Sequence, residues 1–117
     1  VIERAKACKA KLIIFSNPCN PTALKLEREE ILEIIKAVDA LVVVDEAYMD
    51  FSQGSVLDEI ENYDNLIVLK TCSKAFGMAA IRLGFAAANE RLTGLLHTLK
   101  APYNVNSMTR RLCHTGA

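Results

Sequence analysis

Three apolar runs in this chain each end in a short polar cluster, and those clusters hold the side chains best suited to chemistry. Asn17-Pro-Cys-Asn-Pro-Thr22 follows the first run, Asp45-Glu-Ala-Tyr48 closes the second, and Thr71-Cys-Ser-Lys-Ala-Phe-Gly77 follows the third. They supply an amine at Lys74, a carboxylate at Asp45, a phenol at Tyr48, an amide at Asn20 and hydroxyls at Ser73 and Thr71, with the guanidinium of Arg82 further on. An amine can act as a nucleophile and carry protons. A hydroxyl and a forked guanidinium suit phosphate oxygens, while the amide and phenol are neutral hydrogen-bonding groups. A carboxylate delivered by a buried apolar strand is costly when unpaired, so Asp45 is expected to have a cationic partner. Taken one at a time, these residues have ordinary explanations. A lone Ser-Lys is a solvated loop lysine roughly nine times in ten, Asn-Pro pairs mark turns, and aspartate is common at strand ends. Tyr48 alone would be an amphipathic residue at a core edge.

The elements that position these clusters can be read from periodicity. Lys11-Leu-Ile-Ile-Phe-Ser16, Leu41-Val-Val-Val-Asp45 and Leu66-Ile-Val-Leu-Lys70 are continuously apolar, the pattern of strands covered on both faces. Between the first two, Glu27 to Val38 gathers Ile31, Leu32, Ile34, Ile35 and Val38 into one stripe, with acidic residues in the first turn where the helix dipole favours them. Strand, helix, strand predicts a right-handed crossover and parallel pairing. Ser55 to Ile60 reads as a shorter helix with Ser55 as its cap. Leu83 to Ala88 reads as a fourth strand, followed by a helix from Asn89 to about Leu99 that Pro102 ends. A helix-like stretch over Ile2 to Ala10 opens the chain. The expected fold is α/β, an open, mostly parallel sheet with helices on both faces. Ligands of such sheets sit beyond the carboxyl ends of the strands, where the three polar clusters fall.

Composition excludes several classes of function. Lys plus Arg and Asp plus Glu are equal at 14 each, so no net field attracts nucleic acid or an anionic membrane surface. No apolar run approaches the ~20 residues needed to cross a bilayer. The four cysteines form no Cys-x-x-Cys pair and only His97 and His114 could join them, so no metal site is expected. Scattered thiols without a secretory leader suit a reducing cytoplasm. There is no Gly-x-Gly-x-x-Gly after a strand and no Gly-Lys-Ser/Thr loop, which ranks a nucleotide-binding domain low. The half-apolar chain has the size of one domain, without repeats or linkers. It begins at Val1 directly in a helix-like stretch and stops at Thr115-Gly116-Ala117 just after another starts, as expected of a piece of a longer protein.

The order Asn-Pro-x-Asn-Pro-Thr, then a strand ending Asp-Glu-Ala-Tyr, then Ser-Lys-x-Phe-Gly-x-x-x-x-Arg-x-Gly resembles the fold-type I pyridoxal-phosphate-dependent aminotransferases. Among them it is most similar to the histidinol-phosphate aminotransferases. The resemblance runs from about Lys11 to Ser107, and the joint pattern is far more specific than any one motif. It implies that Lys74 is the Schiff-base lysine, whose amine condenses with the aldehyde of pyridoxal 5'-phosphate and later moves a proton between the substrate α carbon and cofactor C4′. It implies that Asp45 pairs with the pyridine nitrogen and that Asn20 and Tyr48 hydrogen-bond the phenolic oxygen. Ser73 and Arg82 would hold the phosphate, with Thr71 a weaker candidate. Asn104, in Ala101-Pro-Tyr-Asn-Val-Asn-Ser107, would face the substrate, and Gly77 and Gly84 would serve close backbone approach.

The activity so implied is transfer of an amino group from a small-molecule donor, histidinol phosphate, to 2-oxoglutarate, giving imidazole acetol phosphate and glutamate in histidine biosynthesis. The full-length enzyme would be a homodimer. The alternatives are a threonine-phosphate decarboxylase-like enzyme using the same lysine, or an inactive fragment. Residues 1–117 would be part of the cofactor-binding large domain, lacking an N-terminal segment and the C-terminal small domain, so these residues alone should turn over weakly or not at all.

Overall fold

The structure, a computed structural model, describes residues 1–114; the expected cut at Thr115-Gly116-Ala117 lies outside the described residues. The elements are α1 (Ile2–Ala7), β1 (Leu12–Ser16), α2 (Arg28–Ala37), β2 (Leu41–Asp45), β3 (Leu66–Thr71), β4 (Gly84–Ala87), α3 (Glu90–Leu99) and α4 (Ser107–His114). The four strands form one sheet in the order β1-β2-β3-β4. β1 and β2 pair in parallel with Ser16 opposite Asp45, and β2 and β3 pair in parallel with Asp45 opposite Leu69. β4 then pairs antiparallel with β3, setting Gly84 opposite Thr71. The sheet is mostly parallel, as expected, and the first three carboxyl ends open on one edge.

Helices cover both faces. Along β2, Val42 and Val44 pack with Ile31 and Ile35 of α2, while Val43 packs with Leu92 of α3 on the other side. This alternation follows from the two-residue period of a strand. α2 begins where the Glu30 carboxylate accepts a hydrogen bond from the Glu27 amide at 2.8 Å, which satisfies an otherwise unpaired helix-start donor. α3 begins at Asn89, whose side-chain oxygen accepts from the Leu92 amide at 3.0 Å. Among the described residues, no helix is long and apolar enough to cross a membrane.

Four expectations need correction. β1 is not covered on both faces: it sits at the sheet edge, and Ile14 is 61% exposed. α1 stops at Ala7, short of Ala10, and buries no residue. Ser55 to Ile60 forms only a 3₁₀ turn at Leu57–Glu59. The segment is held from outside by the Arg28 guanidinium, which donates to the Ser55 carbonyl and to the Asp58 and Glu59 carboxylates. The run before the chain end is a full helix, α4, whose first turn is capped by Asn106: its side-chain oxygen accepts from the Thr109 amide at 2.9 Å.

Candidate active site

The loop after β1 is held by a buried amide. Asn17, 1% exposed, donates to the Leu26 carbonyl at 3.1 Å and accepts from the Leu26 amide at 2.8 Å, closing residues 17–26 like a two-bond latch. Inside it the Cys19 amide donates to the Leu24 carbonyl and the Ala23 amide to the Cys19 carbonyl, a compact turn that presents Asn20. The peptide bonds before Pro18 and Pro21 are both cis.

Asn20 Nδ2 donates to the Tyr48 hydroxyl at 2.8 Å. Tyr48 stands at the start of a 3₁₀ turn, Met49–Phe51, anchored by buried Met49. From the third strand end, Lys74 Nζ lies 5.1 Å from the centre of the Tyr48 ring, within cation–π range. The phenol is held below its ordinary value, first by the neighbouring Lys74 amine and then by the hydrogen bond from the Asn20 amide; partial burial and the Asp45 charge oppose this. An ammonium and an amide donor both favour a phenolate over a phenol.

Asp45 ends β2 half-buried, and one of its oxygens accepts from the Ala47 amide at 3.0 Å. The cationic partner expected for it is missing: among the described residues none forms an ion pair with Asp45. Incomplete burial together with that amide lowers the cost of its charge.

The third loop closes on itself. The Gly77 amide donates to the Lys74 carbonyl and the Met78 amide to the Cys72 carbonyl, leaving Lys74 exposed at the tip. Gly77 has φ +65°, and a Cβ there would meet nothing within 4 Å. Its glycine therefore serves a left-handed turn and not the close approach expected of it. Gly84 does serve close approach, since a Cβ there would lie 3.1 Å from the Lys70 carbonyl. Thr71 Oγ1 donates to the Leu83 carbonyl at 3.5 Å and accepts from the Ser73 amide at 3.1 Å, so it shapes the loop; the Ser73 hydroxyl makes no hydrogen bond among the described residues.

Asn20, Tyr48 and Lys74 are thus in contact, with the Asp45 charge felt at Tyr48. Four expected members make no hydrogen bond to them: Thr71 and Ser73, whose bonds stay within their own loop and with Leu83, and Arg82 and Asn104. Arg82, exposed and in a left-handed conformation, donates to the Ala79 carbonyl of its own turn at 3.0 Å and has no hydrogen bond to Ser73. Asn104 is exposed and makes no hydrogen bond to the group. In the same segment Asn106 donates to the Ile81 carbonyl, as does the buried Thr109 hydroxyl, tying α4 to the residue before Arg82. The Asn-x-x-Thr spacing of a helix cap was the available signal for Asn106. Glu46, fully buried beside Asp45, is a further residue of the site region, and its sequence signal is a second carboxylate directly after a buried strand.

Over residues 1–117 the chain matches the family described as aminotransferase class I and II. It is 50% identical over 110 residues to the histidinol-phosphate aminotransferase of Clostridium novyi (strain NT), an alignment covering 94% of this chain and 31% of that protein. Among solved structures, histidinol-phosphate aminotransferase from Sinorhizobium meliloti in complex with pyridoxal-5'-phosphate aligns with a TM-score of 0.83 at 21% identity, over 92% of this chain and 31% of the other. At that identity the likeness is one of fold. L-threonine-O-3-phosphate decarboxylase from Porphyromonas gingivalis aligns with a TM-score of 0.75 at 25% identity, over 92% of this chain and 35% of the other. The chain spans about a third of the length of the curated relatives it matches. Matched along its whole length, and sharing half its aligned residues with a named relative, the chain belongs to the class I and II aminotransferase family.

Proposed function

We propose that the protein to which this chain belongs is a pyridoxal-phosphate-dependent aminotransferase, moving the amino group of histidinol phosphate to 2-oxoglutarate, and that these residues are part of its cofactor-binding large domain. The donor set suits that cofactor: an amine for an aldehyde, a carboxylate for a ring nitrogen, and a phenol with its amide partner for a phenolic oxygen. The observation that carries the reading is the meeting of Lys74, Tyr48 and Asn20 from three separate strand ends, in a chain half identical to histidinol-phosphate aminotransferases.

Bound pyridoxal phosphate supplies an electron sink for the substrate α carbon. Lys74 would hold the cofactor through its amine, and that amine would take up and return the proton of the substrate α carbon. Lys74 makes no ion pair with a described carboxylate, which leaves its amine available for this work. Asp45 would hold the ring nitrogen and favour its protonated form. Tyr48, oriented by Asn20, binds the phenolic oxygen. Ser73 and Arg82, supported by Thr71, would hold the phosphate; Arg82 spends one N–H on the Ala79 carbonyl and keeps others for phosphate oxygens. Asn104 faces the substrate. The protein works as a cytoplasmic homodimer on small molecules, a setting in keeping with its four free cysteines.

A decarboxylase acting on threonine phosphate is the second reading, favoured by the structural likeness to the Porphyromonas gingivalis enzyme. A titration with pyridoxal phosphate tests the anchor: the reading expects an absorbance that survives dialysis and a borohydride-trapped adduct on Lys74, lost in Lys74→Arg. An adduct spread over other lysines would defeat it. In the full-length protein, Lys74→Arg should lower turnover at least about a hundredfold, the scale of a lost general acid–base group. Keto product from histidinol phosphate, or carbon dioxide from threonine phosphate, separates the two readings.

A further inference from the structure

Glu46 is the one charged side chain with no solvent exposure among the described residues, and it stands between Asp45 and Tyr48 in the sequence. Burying a carboxylate is costly unless every oxygen is satisfied. Here both are. Oε2 accepts from the Ser55 hydroxyl at 2.6 Å and Oε1 from the Val56 amide at 2.8 Å. The Lys70 ammonium lies 3.7 Å from Oε2 and is shared with Asp50 at 2.9 Å. The backbone of Glu46 is equally committed: its amide donates to the Leu69 carbonyl of β3, and its carbonyl accepts from the Met49 amide that starts the turn after Tyr48.

A well-packed apolar residue would fill such a site at no worse stability. What the carboxylate adds is direction, because its two hydrogen bonds and its cation come from two different elements. Ser55 and Val56 belong to the segment leading to the Leu57–Glu59 turn, and Lys70 lies near the end of β3, four residues before Lys74. The turn bearing Asp45 and Tyr48 is thereby pinned to the strand whose loop bears Lys74.

We propose that Glu46 is a positioning residue of the candidate active site: its buried carboxylate fixes the turn that presents Asp45 and Tyr48 against the strand end that presents Lys74. The consequence for cofactor binding rests on the function proposed above, whereas the positioning itself can be measured without cofactor.

The reporter is the Tyr48 phenol, which faces Lys74, Asn20 and Asp45 and is lowered by its contacts with Lys74 and Asn20. Its ionisation is read as the difference in phenolate absorbance between each protein and the same protein carrying Tyr48→Phe. Two effects of Glu46→Gln have opposite signs. Removing a nearby negative charge, by itself, eases ionisation of the phenol and lowers its midpoint. Loosening the turn withdraws Lys74 and Asn20 and raises it. Positioning therefore predicts an upward shift in Glu46→Gln, and a smaller upward shift in Ser55→Ala, which removes one tie without changing charge. Ile35→Val, on the far side of the α2 core, serves as a control for general destabilisation and should leave the midpoint in place. An unmoved or lowered midpoint in the folded variants overturns the proposal; if Glu46→Gln does not fold, Ser55→Ala decides.

Pyridoxal phosphate binding is measured alongside. Glu46→Gln should weaken it roughly tenfold, the scale seen when an outer partner that orients a ligand-holding residue is removed. If Lys74 traps no cofactor in the unmodified chain while the Tyr48 midpoint still rises in Glu46→Gln, the proposed function fails and the positioning stands. If Lys74 is trapped and the midpoint stays fixed, the positioning fails and the function stands.

Discussion

The Lys74 ammonium sits over the Tyr48 ring at 5.1 Å from its centre, so two residues from different strand ends share one electrostatic environment. Tyr48 is an acid whose value in the folded chain lies below its ordinary 10.0. Such a group adds stability that is fully present above the ordinary value and is lost as pH falls through the folded one. Stability should therefore climb with pH across the window just below 10.0, and Tyr48→Phe should remove that climb. Urea unfolding at a series of alkaline pH values checks this; parallel profiles for the two proteins would rule it out.

Asn17→Ala should cost about 2 kcal/mol, because both the carbonyl and the amide of Leu26 lose their partner in a nearly buried setting. The same change frees the turn that presents Asn20, so cofactor affinity should fall with stability. Denaturant unfolding and the pyridoxal phosphate titration report the two effects separately. Unchanged unfolding would mean that the latch contributes nothing.

Arg28 grips Asp58 and Glu59 together. The Asp58 carboxyl is held below its ordinary 3.8 chiefly by hydrogen bonding to Arg28, and that of Glu59 below 4.5 first by Asn62 and then by Arg28. Depressed carboxyls stabilise the fold above their ordinary values, and that contribution disappears as pH falls through the folded ones. Arg28→Met should lower the thermal midpoint near neutrality and make the loss on acidification below pH 4.5 shallower, leaving the part owed to Asn62. Equal acid sensitivity in the two proteins would contradict it.

Ile31 is fully buried against Val42, Val44 and Leu66. Ile31→Ala should cost about 3 kcal/mol through lost burial and the cavity left behind. Because the change lies away from the strand ends, the cofactor absorbance of the folded fraction should keep its position. A loss well below 1 kcal/mol in chemical denaturation would show that α2 closes over the gap.

Much of this architecture is legible in the sequence, for identifiable reasons. β2 and β3 are buried on both sides, so their unbroken apolar runs carry a clear signal, and the stripe of α2 is equally local. The direction of β4, antiparallel to β3, is not written in its own residues. An antiparallel neighbour needs no long crossover helix, and Phe76 to Arg82 contains none, a clue that composition alone does not advertise. Ser55 to Ile60 carries a helical pattern yet forms only a 3₁₀ turn, and its contacts to Arg28 come from another element, which no local pattern records. Motif order picks out Lys74, Tyr48 and Asn20, which the structure brings into contact, but not the work of Asn17 and Glu46. Each acts through partners several residues away in the chain, Leu26 for one and Ser55 and Val56 for the other; a second carboxylate after a buried strand marks Glu46 but does not name those partners.

Tyr48 meets a partner from 28 positions upstream, Asn20, and an amine from a later strand. None of the three can find the others inside a single hairpin or helix, and distant closures of this kind are slow relative to local ones. During refolding the amine-over-ring contact should therefore arise among the last events, after the helical signal of α2 has already returned.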